Sequence, residues 1–243
     1  MNRTLLLRAA LLLALPLAAL QAQQPFGAGR ADTGAQARPA DRDSTRSPGK
    51  VASYKVPPGF EGLDSVVYRL DPSSRLEVKT GKAGLFGFAG HSHVIRARAF
   101  SGEVVFYPRT PTSSHLQMVV VTDSLEVLTP PDTAEIRKVT AAMREEVLHT
   151  DQYHEIRLVS KSVTPTAEGF HILGALTMVG QTREVPIDLV VHPRPDTLRA
   201  EGTFSIKQTD FGIKPYKGGP AGTVKVADRV TFTIDAVAAR AAP

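Results

Sequence analysis

Between Gly169 and Val191, apolar and polar side chains alternate on both sides of a single turn, and this pattern constrains the chain more than any other feature. Phe170, Ile172, Leu176 and Met178 share one parity, and beyond Gly180 so do Ile187, Leu189 and Val191. A period of two is strand geometry, because successive Cβ atoms point to opposite faces. Two such runs around a glycine turn predict a β-hairpin with one apolar face, which the rest of the fold has to cover. Pro186 has no N–H to give to a ladder, so it is expected at a strand start, a bulge or an unpaired position.

Shorter runs repeat the pattern. Leu76 and Val78 share a face, as do Phe100, Val104 and Phe106, then Leu116, Met118 and Val120. Later come Ile156 and Leu158, Phe204 and Ile206, and finally Val230, Phe232 and Ile234. Many period-two strands with turn residues between them predict an all-β barrel or sandwich. One segment differs. Asp132 and Glu135 after Pro131 have the spacing of a capping box, and Ile136, Val139, Met143 and Val147 then recur at intervals of three and four. This predicts one amphipathic helix ending near His149, placed against an opening or an outer face of the barrel.

The chain begins with Arg3 and Arg8, an apolar run from Ala9 to Leu20 and a small-residue exit at Ala22. Residues 1–22 therefore read as a secretory signal peptide, which places the protein in the periplasm or outside the cell. Residues 23–60 are rich in Pro, Gly, Ala, Arg, Asp and Ser without apolar period, the composition of a disordered leader or tether. Residues 61–243 remain for one folded domain. There is no Cys, so no disulfide or lipidated Cys contributes, and the domain rests on its core.

The formal net charge of +5 invites a nucleic-acid reading until it is located. The signal peptide holds two Arg and no acid, and residues 23–60 hold six basic against three acidic residues, which leaves 61–243 neutral. A neutral domain has no electrostatic footprint for a phosphate backbone. The tether can touch an anionic membrane surface transiently, at about 1 kcal/mol per charge close to the lipid.

Three ordered stretches carry a family resemblance. Gly174-Ala-Leu-Thr-Met-Val-Gly-Gln-Thr-Arg183 resembles the G-x-L-T-hydrophobic-x-G-x-T hairpin of the YceI-like family of periplasmic lipid- or polyisoprenoid-binding proteins. Tyr153-His-Glu-Ile-Arg-Leu-Val-Ser160 precedes it and Phe204-Ser-Ile-Lys-Gln-Thr-Asp-Phe-Gly-Ile213 follows it in the family's order and spacing. The resemblance implies a lipocalin-like antiparallel β-barrel of about eight strands, with one amphipathic helix and an elongated apolar cavity. It also implies non-enzymatic binding, transport or sequestration of a polyisoprenoid or other long-chain amphiphile, with no cofactor.

The candidate ligand-binding residues are the apolar parity faces. From the first half they are Phe100, Val104, Phe106 and Met118; from the second, Leu158, Leu176, Met178, Phe204, Ile206, Phe211 and Phe232. Phe86 and Phe88 join them from the glycine-rich segment 81–90, where two rings among glycines suggest a hydrophobic gate at the barrel mouth. The signatures of hydrolases, zinc proteases and nucleotide-binding loops are missing from the sequence. The alternative chemistry is a metal site or a metal-dependent enzyme. His91 and His93, two apart on an extended strand, would point to one face, with His149 and His154 as further ligands.

Overall fold

A computed structural model describes residues 54–83, 92–128, 133–218 and 224–242. The strands are β1 (Val66–Leu70), β2 (Arg75–Ala83), β3 (Val94–Ala97), β4 (Phe100–Phe106), β5 (His115–Val121) and β6 (Leu125–Val127). After the helical segment come β7 (Glu155–Pro165), β8 (Gly169–Met178), β9 (Gln181–Pro193), β10 (Thr197–Lys207), the short β11 (Lys217–Gly218) and the long β12 (Val224–Arg240). All pairings are antiparallel, and the order β1-β4-β5-β7-β8-β9-β10-β12 closes on itself through β1–β12. The fold is thus a closed eight-stranded antiparallel barrel, in which every ring strand has a partner on both sides.

Three of the short strands prolong members of that ring. β1 and β2 both run along β12, with Leu70 opposite Ala238 and Arg75 opposite Asp235, so they form one strand kinked at 71–74. The kink is a polar turn, in which Ser73 N–H donates to Asp71 Oδ1 (2.8 Å) and Ser74 Oγ meets the backbone of Val237. Hydrogen bonds from Ser73, its side chain first and then its N–H, hold the Asp71 carboxyl below the usual carboxylate range. In the same way β3 continues into β4 and β5 into β6.

The hairpin has the expected face. Phe170, Ile172, Gly174, Leu176 and Met178 are buried in strict alternation, opposite Val185 and Ile187. Its two-residue turn has φ of 46° at Val179 and 69° at Gly180, the pair of positive angles that a type I′ turn requires. A β-branched residue there is strained, and it is held by packing of Val179 on the core. Pro186 lies opposite Leu173, five pairs from the closing Met178–Gln181 pair. Hydrogen-bonded and non-bonded pairs alternate from that closing pair, which turns residue 186's backbone nitrogen away from β8. β9 meets β10 only from Val190 to Pro193, so no ladder needs the missing N–H.

Helix α1 (Thr133–Ala142) follows β6 and continues as a π-helical turn over Met143–Leu148, ending at His149 with φ 48°. The i→i+5 bonding widens the turn. Met143 is buried, and Val147 and Leu148 both pack on the main core. The expected capping residue Asp132 lies outside the described residues.

The tether boundary is corrected by the packing. Phe60, which composition places in the leader, is part of the barrel core at 1% exposed, and Tyr54, placed there too, packs half-buried against that core. Lone aromatics among Pro and Gly carry no period to read. Gly59, at φ 87° against Pro195, makes the turn that delivers Phe60.

Candidate functional site

The two ends of the barrel are built differently. At one end the first strand begins and β12 finishes, and there Phe60 meets Phe106 edge-on at 5.5 Å, while Phe106 meets Phe170 at 6.3 Å. Beside them Tyr68 is fully buried, its hydroxyl donating to the Arg194 carbonyl at 2.6 Å. Burial pushes that hydroxyl up to about 12; Arg240 opposes the shift and Asp196 adds to it. This end is a packed aromatic plug.

At the other end lies a cavity of about 510 Å³. Its strand wall includes Val78, Ile95, Ile156, Met178, Val230 and Phe232, and its lid is the inner face of the helix, with Val139, Met143, Val147 and Leu148. The helix thus closes over the opening rather than lying on the outer face. Sites that enclose one drug-sized ligand have volumes of ~300–1,000 Å³ and mostly apolar linings, and this cavity falls within that description.

Polar groups border the cavity too, buried at His93 and Gln208 and exposed at Lys138 and Lys225. Thr80, His93 and Gln208 stand on the strand side, Glu135 and Lys138 on the helix, and Tyr216 and Lys225 at the β11–β12 corner. Several are tied to the backbone. The N–H of His93 donates to Thr80 Oγ1 (3.0 Å), the N–H of Thr80 donates to the His93 carbonyl (2.9 Å), and Gln208 Nε2 donates to the Ala227 carbonyl (2.8 Å). Close by, Asp228 accepts from the N–H and hydroxyl of Thr209, and the backbone bond foremost keeps its carboxyl low. The arrangement offers an amphiphile an apolar chamber and a hydrogen-bonding mouth.

A second, smaller void of about 80 Å³ lies within the barrel, bounded among others by Val104, Met118, Leu158 and Ile234. The residues expected from sequence therefore divide. Met178 and Phe232 line the large cavity; Val104, Met118 and Leu158 line the small one. Phe106, Leu176, Ile206 and Phe211 are buried in the packed core and face neither. Phe100 packs on the cluster beneath the helix, and Phe204 stacks on Phe232 at 4.8 Å. Phe86, Phe88 and His91 lie outside the described residues. His93 is buried in the cavity wall, and among the described residues no three His, Cys, Asp or Glu side chains assemble into a metal-binding group.

The sequence places the helix against an opening or an outer face without naming its residues as part of the site, and of the polar lining it singles out only His93, as a metal-ligand candidate. The signal for the lid was present, since the apolar stripe of the helix had to cover something. The mouth residues are ordinary polar side chains that only the fold brings together.

The model of the YceI-like domain matches residues 68–238. The chain belongs to the YceI-like family. BcnA from Burkholderia cenocepacia shares the fold, with a TM-score of 0.54 at 19% identity over 69% of this chain and 98% of its own. So does a polyisoprenoid binding domain from Saccharophagus degradans implicated in plant cell wall breakdown, with a TM-score of 0.52 at 14% identity over 72% of this chain and 99% of that one. No curated protein sequence matches the chain. The YceI-like match begins at Tyr68 itself, so the plug residues Tyr54 and Phe60 precede it.

Proposed function

We propose that this YceI-like barrel is a non-enzymatic carrier or sequestering protein for a polyisoprenoid or similar single-chain amphiphile. The observation that carries the reading is the cavity of about 510 Å³, lined mostly by apolar side chains with the exposed Lys138 and Lys225 at its rim. Each methylene-scale group moved from water into such a chamber contributes about 0.8 kcal/mol, so a few isoprene units offset much of the ~4–15 kcal/mol cost of association. The exposed Lys138 and Lys225 at the mouth supply donors for a polar head. Such binding uses no reacting group. The signal-peptide pattern of residues 1–22 supports release into the periplasm or beyond.

Native mass spectrometry of protein purified without detergent, followed by organic extraction, tests the reading. The expected result is an apolar adduct, or uptake of added farnesol in a one-to-one complex. Absence of both would overturn it. The mass of the mature protein tests the export step, with residues 1–22 expected to be missing.

A further inference from the structure

The two voids share no lining residue, yet only one layer of side chains divides them. On β7, Ile156 faces the large cavity and Leu158 the small one; on β12 the pair is Phe232 and Ile234, and on β2 it is Val78 and Leu76. Each pair is two residues apart on the same face of a strand, a step of about 7 Å. The layer has a continuous part. Met118 lies opposite Leu158 and Leu158 opposite Leu176, so three strands place these side chains in one row. Leu158 and Leu176 are buried, and Met118 packs against both core clusters. Beyond the row the barrel offers only about 80 Å³ before the plug of Tyr68, Phe106 and Phe60.

We propose that the Met118–Leu158–Leu176 row is a ruler that sets the length of tail the barrel accepts. The ligand enters beside the helix, its head stays among the mouth residues, and its tail stops on the floor of Ile156 and Met178 that this row backs. The accepted class is then a short single-chain amphiphile, and a long polyisoprenoid is left with part of its chain outside. Met118 is the adjustable member, because its unbranched thioether is the least constrained of the three, and it borders the small void while packing on the cluster beneath the helix, so shortening it opens space behind the cavity floor. This inference rests on the lipid-binding reading and adds a length limit to it.

The test is a binding series of geraniol, farnesol, geranylgeraniol and octaprenol, measured by native mass spectrometry and by displacement of a fluorescent fatty acid, for the wild type and for Met118→Ala. While the tail stays above the row, each added isoprene unit should tighten binding about tenfold or more. The gain should stop within the short members, octaprenol should bind no better than the best of them, and Met118→Ala should move the optimum to a longer alcohol. Leu158→Val serves as a second, milder trim, and thermal melting confirms that each variant is folded. Affinity that keeps rising through octaprenol in the wild type, or an optimum unmoved in both folded variants, would overturn the ruler while leaving the lipid-binding reading intact. Failure of every alcohol to bind would remove both.

Discussion

Replacing Phe60 by Ala separates the plugged end of the barrel from the open one. The ring is 1% exposed and sits edge-on to Phe106, with centroids 5.5 Å apart at 75°. Removing a fully buried Phe costs about 3–5 kcal/mol in lost transfer energy and residual cavity, of which the edge-to-face pair accounts for roughly 0.5–1.5 kcal/mol. In a domain of this size each kcal/mol moves Tm by about 2–4 °C, so the expected fall is about 6–20 °C. Circular-dichroism melting measures it. Farnesol uptake, assayed at a temperature where the variant is folded, should be unchanged because the cavity lies at the other end. A fall of less than about 3 °C would show that the segment around Phe60 does not hold the barrel shut. Lost uptake in a well-folded variant would show that the ligand enters from the wrong side for this account.

Three further outcomes follow. Met178→Trp fills space in the large cavity, so uptake should be lost with a Tm within a few degrees of wild type; an overpacking cost of about 1–3 kcal/mol or more would instead show a solid core. Tyr68→Phe removes the hydroxyl that donates to the Arg194 carbonyl and should cost about 0.5–1.5 kcal/mol at neutral pH. It also alters the alkaline limb: the wild-type tyrosine contributes fully below pH 10, its ordinary value, and that contribution of about 2–3 kcal/mol is lost as pH rises toward 12, because the unfolded chain ionises first. The variant lacks this component, and urea unfolding at several pH values reads the difference. Gly180→Ala forces a side chain into φ 69° and brings its Cβ to 2.9 Å from Tyr153 Cε1, so it should cost about 1–2 kcal/mol for the backbone alone, visible as a lowered Tm.

The strands were legible because a closed barrel enforces one rule along its length, that alternate residues face inward. Phe170, Ile172, Leu176 and Met178 obey it, and the amphipathic stripe of the helix was equally plain. Parity says which side chains point in but not whether they meet. Leu176 and Met178 are neighbours on one face, yet one is packed solid and the other borders a cavity, because strands distant in sequence decide how much volume remains. The plug residue Phe60 was hidden because it is part of no periodic run, and the π-turn at Met143–Leu148 was hidden inside one, since Met143 and Val147 keep a helical spacing. Mouth residues such as Lys138 and Lys225 gave no local signal at all, since only the docking of the helix over the strand ends brings them to one opening.

The account turns on where a tail sits, and photo-crosslinking measures that directly. Farnesol carrying a diazirine near the end of its chain, irradiated on the protein and mapped by peptide mass spectrometry, should label the inner wall at Ile156, Met178 or Phe232, or the lid at Met143 and Val147. Labelling confined to outward valines such as Val159 and Val190, each 40% exposed, would place the lipid on the barrel's outer surface and contradict the account.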